Sequence, residues 1–379
     1  MKTLSKILMF VLFTVSLWCF IPSAMASDQL GISADAAILI DMKTGQILYS
    51  KNPFKRRPPA STTKILTALL AIENGNLNGK VNVSRKAAHT EGSSMYLTEG
   101  EILPLRDLLY GALMHSGNDA CEAMAEYIGG SRDKFALLMN IKALSLGTIN
   151  SNFTNPHGLP DESHYTCAYD LALITRHALK NPDFSKMVDT RNKSIEWPGQ
   201  KWNRRLQNTN QLLWRYLWAD GVKTGTTSAA GQCLVSSASK GSRQLIAVVL
   251  SSGDRWQDSI KMFEYGFNQF EYTQVAVAGI EYTELSVQNG VRKNVPVVYA
   301  SDLGILTPRV NPKALVKKVL IDQLITAPVI KSQVVGSVNY YVDDIFVEKT
   351  NLITAYAVER QGSWGRFKEW LTIKINNIF

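Results

Sequence analysis

A serine hydroxyl attacks a carbonyl only when a neighbouring base takes its proton, and a lysine serves as that base only when neutral and close. Ser61 and Lys64 stand three residues apart in "PPASTTKILTALLA". On a helix that spacing places both on one face, about 4.5 Å apart along the axis. The pair is cheap by itself, since Ser131/Lys134 and Ser237/Lys240 repeat it. Helix capping accounts for the serine, because Ser favours helix starts and Pro58-Pro59 suits a chain turning into one. It does not account for the lysine. A capping box would put Glu or Gln there, and a cation in the first turn opposes the helix dipole by about 0.3–1 kcal/mol. A basic role uses both residues, provided the amine pKa falls by about three units, roughly 4 kcal/mol. Burial, the helix-terminus field and a second cation all push that way.

Two further triplets supply candidate partners. Ser116-Gly117-Asn118 falls at a break between expected helices, and Lys223-Thr224-Gly225 falls inside a strand-like run. Each has a decoy: Ser337-Val338-Asn339 in a β-rich region, and Lys43-Thr44-Gly45 in a hairpin turn where a solvated lysine beside a turn glycine suffices. Order and context remove the decoys. Only Ser61…Lys64, then Ser116-Gly117-Asn118, then Lys223-Thr224-Gly225 fall in turn on a helix start, an interhelical loop and a strand.

These side chains need a frame. "AAILIDMKTGQILYSKN" reads as a β-hairpin, with apolar runs Ala36–Ile40 and Ile47–Tyr49 around Gly45. The helix near Ser61 carries Ile65, Leu66, Leu69 and Leu70 as a core stripe. Residues 103 to about 179 look mostly helical, broken by "HSGND" and "NPHGLPDESHY". "GVKTGTTSAAGQCLVSSAS" and "RQLIAVVLSS" read as two strands joined at Lys240–Ser242, with a helix at about Trp256–Tyr265 after them. Strands at both ends with helices between predict one α+β sheet. From about residue 273 the texture turns β-branched and aromatic, predicting a small β domain over 273–348. The remainder, 349–379, ends in "GSWGRFKEWLTIKINNIF". As a helix it gathers Trp364, Phe367, Trp370, Leu371, Ile375, Ile378 and Phe379 on one face. That predicts interfacial membrane binding, the alternative being a helix docked on the protein's own surface.

The 379 residues carry a net charge of +9, which suits an anionic partner: nucleic acid, membrane or wall polymer. Lys2 and Lys6, the apolar run Ile7–Ile21 and Ala24-Met25-Ala26 make residues 1–26 a secretory signal peptide, or alternatively an uncleaved anchor. Export, together with the lack of a basic groove-reading helix, excludes nucleic acid. It leaves Cys121, Cys167 and Cys233, an odd count that requires a free thiol. Buried core positions are expected for them. No spacing suggests zinc, and neither metal nor cofactor is expected.

The motif trio resembles that of class A β-lactamases and penicillin-binding proteins. "DMKTGQILYSKNPFKRRPPASTTK", "SGNDA", "FTNPHGLPDESHYTCAYDLA", "NTNQLL" and "GVKTGTTSAAGQCLVSSA" narrow the likeness. Over nearly all of the mature chain it resembles the low-molecular-mass penicillin-binding proteins that are serine-type D-Ala-D-Ala carboxypeptidases, nearest the sporulation-associated ones of Gram-positive bacteria. The resemblance implies a DD-peptidase/β-lactamase-like α+β domain over 27–272, an antiparallel sheet with helices and a helical subdomain, followed by the β domain and tail helix. It implies that Ser61 attacks the penultimate D-Ala carbonyl of a peptidoglycan stem peptide, with Lys64 as base and Ser116 relaying a proton to the leaving amine. Asn118 would hold the substrate amide. Lys223, Thr224, Gly225 and Thr226 would receive its carboxylate, and the N–H groups of Ser61 and Thr226 would form an oxyanion hole. β-Lactams would be covalent inhibitors, and the site would face outward at the cytoplasmic membrane.

Some relatives have His where this chain has Thr226, a departure that bears on pH dependence. Arg255, opening the late helix, is a candidate carboxylate anchor or an exposed first-turn charge. His157 and His164 are expected to make structural hydrogen bonds. A β-lactamase shares the trio but needs a deacylating glutamate; Glu162 lacks the asparagine that typically follows four residues on, Thr166 standing there instead. A non-catalytic wall-binding scaffold is the rival of a different kind. Against it, every polar residue the chemistry needs is present.

Overall fold

The computed structural model describes residues 30–310, 315–342 and 345–362. The expected signal peptide and the apolar tail face from Trp364 onward lie outside the described residues.

The expected hairpin forms as β1 (Ala36–Asp41) and β2 (Ile47–Lys51). A 3-10 turn, Ala60–Thr63, runs straight into α1 (Lys64–Asn74). The ribbon of β3 (Lys80–Asn82) and β4 (Ile102–Pro104) brackets α2 (Arg85–Ala88). Then come α3 (Leu105–Met114), α4 (Asn118–Gly129), α5 (Arg132–Ser145), α6 (Ala168–Ala178) and α7 (Pro182–Asp189). A second ribbon, β5 (Asn192–Ile195) with β6 (Arg204–Gln207), and α8 (Leu212–Arg215) lead into β7 (Ala219–Thr227), β8 (Gly231–Lys240) and β9 (Arg243–Ser252). The helix α9 (Arg255–Gln269) follows.

The central sheet has the order β2-β1-β9-β8-β7, all antiparallel, and β1 closes it by pairing with β9. Its strands are apolar at nearly every position because both faces are covered. Successive side chains point to opposite faces. Thus Ile38, Ile40, Val235 and Val248 pack with Ile65, Leu69 and Leu171 of α1 and α6. Their neighbours Leu39, Leu234, Ala247 and Val249 pack with Met262, Phe263 and Phe267 of α9.

Three local expectations need correction. "GVKTGTTSAAGQCLVSSAS" is a hairpin rather than one strand, since the Thr227 hydroxyl accepts the Ala230 N–H and turns the chain back. The late helix starts at Arg255 and reaches Gln269, because the Asp254 side chain caps the N–H groups of Trp256 and Gln257. And α7 lies beyond the helical region expected to end at about residue 179, its start marked by Asn181-Pro182: the Asn181 carboxamide accepts from Asp183 and Phe184 N–H.

The second domain follows through β10 (Phe270–Ala276), β11 (Glu281–Gln288), β12 (Asn294–Tyr299) and β13 (Leu303–Pro308). It continues with β14 (Leu315–Ile321), β15 (Leu324–Thr326), β16 (Val334–Val342) and β17 (Ile345–Thr354). Six of these strands form one sheet, β14-β16-β17-β12-β11-β15, and β10 pairs with β13 as a separate ribbon. Both expected boundaries fall inside strands: 273 within β10 and 349 within β17. Thr350, Leu352 and Thr354 are buried at every second position, which is strand burial and no helix face. Pairing persists to a bridge between Gly290 and Arg360.

Phe263 lies between Tyr216 and Phe267 against the sheet. Phe263→Ala is expected to lower unfolding free energy by about 3–5 kcal/mol, read from urea denaturation.

Candidate active site

The late strand β7 is an edge of the central sheet, and its free edge runs against the 3-10 turn that carries Ser61. Gly225 permits this: a Cβ there would lie 3.0 Å from both the Ser61 N and the Pro59 O. On its other side the turn meets Gly158, where a Cβ would fall 1.8 Å from the Ala60 O. Held between these backbones, Ala60 takes a left-handed φ of +48°, a conformation costing a Cβ-bearing residue about 1–2 kcal/mol. The surrounding packing imposes it.

The Ser61 side chain makes no capping bond, and neither the turn nor α1 has a side-chain cap. Instead the Ser61 Oγ accepts a hydrogen bond from the Lys64 Nζ at 2.9 Å. The same amine donates to the Asn118 Oδ1 and to the His157 carbonyl, both at 2.7 Å. Lys64 is fully buried. Burial pulls its pKa from the usual 10.5 down to about 8. That corresponds to about 3 kcal/mol disfavouring the charged form. Burial also holds the Lys223 amine well below its usual range, with Lys64 and Arg255 adding repulsion. Below about pH 8 the fold bears the full penalty of a charged Lys64. Between about 8 and 10.5 the unfolded chain binds the extra proton, so stability rises with pH.

Ser116 closes α3 at a left-handed φ of +66°. Asn118 begins α4 and is fixed from two sides besides Lys64: its Nδ2 donates to the Glu91 O and its N–H to the Ser93 O, each at 2.6 Å. The segment that provides these carbonyls is clamped by Asp119, whose carboxylate accepts from the Ser94 hydroxyl at 2.6 Å and from Met95 and Leu97 N–H. Lys223 is buried on β7 and donates to its neighbour's carbonyl, the Thr224 O, at 3.0 Å. Thr224 shares a 2.9 Å hydroxyl contact with Thr209. Arg255 reaches back from α9 to donate to the Thr226 Oγ1 at 2.8 Å and the Gly225 O at 3.0 Å. It is half-buried against Trp256 rather than a free first-turn charge. Ser61, Lys64 and Asn118 thus meet directly. Gly225 touches their turn, and Thr224, Thr226 and Arg255 line the strand beside it.

The decoys behave as ordinary residues. Ser131 caps α5 by accepting the Lys134 N–H, Ser237 bonds Asp220 within the sheet, and Thr44 bonds Asp41 in the hairpin turn. Ser337 and Asn339 lie on β16 in the other domain.

Comparison with known proteins settles what the arrangement belongs to. The family described as D-alanyl-D-alanine carboxypeptidase matches residues 23–253, and that described as penicillin-binding protein 5, C-terminal domain, matches 270–360. The chain belongs to the D-alanyl-D-alanine carboxypeptidases. The D-alanyl-D-alanine carboxypeptidase DacF of Bacillus subtilis is 34% identical, over 96% of this chain and 100% of that one. DacC of Escherichia coli is 33% identical over 96% and 94%. The crystal structure of penicillin binding protein 5 from Haemophilus influenzae superposes with a TM-score of 0.76 at 32% identity, covering 87% of this chain and 98% of that one. The protein is accordingly a serine-type D-Ala-D-Ala carboxypeptidase of the low-molecular-mass penicillin-binding type, acting on peptidoglycan outside the cytoplasm.

In the carboxypeptidase, Glu162 is exposed on its loop. His157 is buried and its pKa pushed down to about 3, first by burial and then by Lys64; His164 falls to about 4, mainly by burial. Both are neutral near pH 7 and bind locally: the His157 Nδ1 accepts the Leu159 N–H, while His164 joins the Thr63 hydroxyl and the Thr154 N–H. Cys121, Cys167 and Cys233 are free and buried. Sequence reading missed Glu91, Ser93, Asp119, Thr209 and the His157 carbonyl. For Asp119 a signal existed, a carboxylate in the first turn of a helix; the backbone acceptors leave none.

Asp119→Asn keeps the shape but exchanges an acceptor for a donor facing Met95 and Leu97. It is expected to cost about 1–3 kcal/mol of stability and to slow acylation by benzylpenicillin, as measured by thermal denaturation and stopped-flow.

Proposed function

We propose that the carboxypeptidase works through an acyl-enzyme on Ser61, and the 2.9 Å contact between the buried Lys64 amine and the half-buried Ser61 Oγ carries this reading. Neutral Lys64 takes the hydroxyl proton as the Oγ bonds to the carbonyl carbon of the penultimate D-Ala. The oxyanion is received by the N–H groups of Ser61 and Thr226, a donor arrangement whose removal costs roughly 3–4 kcal/mol in comparable reactions. Ser116 passes a proton to the departing D-Ala amine. Asn118 holds the peptide amide, while Lys223, Thr224, Gly225, Thr226 and Arg255 form the carboxylate end of the site. Water then takes the acyl group from Ser61.

The β-lactamase alternative requires fast deacylation. The exposure of Glu162 argues against it, as does a Lys64 amine that donates to the neutral Ser61 Oγ, Asn118 Oδ1 and His157 O. For the finer class we propose the sporulation-type carboxypeptidases of Gram-positive bacteria, supported by the full-length match to DacF. We further propose that residues 1–26 direct export and that the tail after Gly362 holds the protein peripherally on the outer face of the cytoplasmic membrane. The aromatic and basic composition of that tail supports this.

Intact mass after benzylpenicillin, with peptide mapping, is expected to show one stable adduct on Ser61, and a peptide ending in D-Ala-D-Ala to release D-Ala. Ser61→Ala abolishes both, whereas rapid penicillin turnover would make the enzyme a β-lactamase and retained biological effect of that variant would make it a scaffold. Since the neutral amine is the reactive form, kcat/KM for D-Ala release is expected to rise with pH and level off above about 8. A profile already flat from pH 6 would remove Lys64 as the base.

A further inference from the structure

The β domain leaves apolar side chains outside its core at both ends, Ile280, Ile345 and Phe346 at one and five aliphatics of the turns at the other. Strand register sorts the domain into two ends. At the end joined to the catalytic domain, the Tyr340 hydroxyl donates to the Val275 O and Gly279 N–H to the Tyr299 O. The opposite end gathers the turn 289–293, the crossover from β14 to β15, and the turn 327–333. There Val291, Leu320, Leu324, Ile330 and Val334 are 58, 63, 54, 66 and 58% exposed, while their neighbours Val329, Val335 and Val358 fill the core. Clustered exposed aliphatics rimmed by charge mark an interaction surface. The rim is mixed with a small basic excess: Arg292, Lys331 and Arg360 are exposed beside Asp322 and Glu359. The chain also leaves the described fold at this end, through the bridge of Arg360 to Gly290. The segment that follows bears Trp364, Phe367, Trp370 and Leu371 with Arg366, Lys368 and Lys374.

We propose that this far end of the β domain is itself a lipid-contact surface. Its aliphatic turns enter the headgroup region of an anionic bilayer, and Arg292, Lys331 and Arg360 bind lipid phosphates. The location rests on the reading of the tail as membrane-associating; what is added is a second contact, on the folded domain. Charge complementarity selects an anionic surface. Stable peripheral attachment generally takes two weak signals, and contacts at one end of a molecule can engage one plane together.

The test uses the exported chain, residues 27–379, which lacks Cys19 and the apolar run Ile7–Ile21, and vesicles of phosphatidylglycerol mixed with phosphatidylcholine. A tip variant, Leu320→Ser with Leu324→Ser and Ile330→Ser, is compared with a tail variant, Phe367→Glu with Trp370→Glu. The tip variant is expected to bind about ten- to hundredfold more weakly while reacting with benzylpenicillin at the wild-type rate, which verifies its fold. If it binds like wild type while the tail variant is released, the tip proposal is overturned and the tail reading stands. If the tail variant binds like wild type and the tip variant is released, the tail reading falls and the tip proposal stands. A lipid-free dimer in sedimentation velocity that the tip substitutions abolish would assign the patch to a second copy and overturn the proposal. Should the tip variant fail to fold, an environment-sensitive dye on Leu324→Cys decides, since Cys121, Cys167 and Cys233 are buried. A blue shift on anionic vesicles is expected; unchanged emission overturns the proposal.

Discussion

The site is organised around one buried amine. Lys64 has three protons to donate, and the fold meets them with the Ser61 hydroxyl, the Asn118 carboxamide and the His157 carbonyl, all neutral. A carboxylate in any of these places would secure the charge and raise the amine's pKa. Neutral acceptors orient it without that effect, so burial sets the balance and brings the pKa to about 8. Geometry and proton affinity are thereby separated: three contacts fix where the nitrogen sits, and solvent exclusion fixes how readily it gives up its proton.

Each acceptor is supplied by a different part of the chain, and each is held from behind. The serine turn is squeezed between Gly158 and Gly225. Asn118 is pinned by the carbonyls of Glu91 and Ser93, and that segment is clamped in turn by Asp119. His157 presents its carbonyl from a loop stapled by His164 to Thr63. The two histidines, drained of basicity by burial, serve as spacers here. Left-handed backbone at Ala60 and Ser116 shows where strain is held, next to the two hydroxyls of interest.

Much of this was legible in the sequence because it repeats a local physical signature. The continuous apolar runs of β1 and β9, the hairpin at Gly45 and the helices up to Ala178 follow from side-chain pattern. Lys64 was legible for the opposite reason: it violates the capping pattern around it, and a violation invites an explanation. What stayed hidden depends on backbone carbonyls and on distance in the fold. Nothing in Glu91 or His157 as residue types announces that their main-chain oxygens hold the site, and nothing local shows Gly225 beside Ser61. The end of the β domain lies beyond the expected residue 348, because β17 continues to Thr354 with every second side chain facing the core. The Thr227–Ala230 turn was lost because its small residues fit a strand as well as a bend.

The pairing of β1 with β9 has a consequence in time. Ser61 and Lys64 are synthesised early, yet the strand that covers their turn and the strand that completes the sheet come some 160 to 190 residues later. Until that distant part of the chain has emerged, β1 and β2 can form no more than a marginal two-stranded hairpin. Lys64 then remains solvated, fully charged and inert towards its serine. On the proposed mechanism the nucleophile is therefore a property of the finished molecule: an extended chain carries all the residues of the site without their geometry, which is complete only when the last strand closes the sheet.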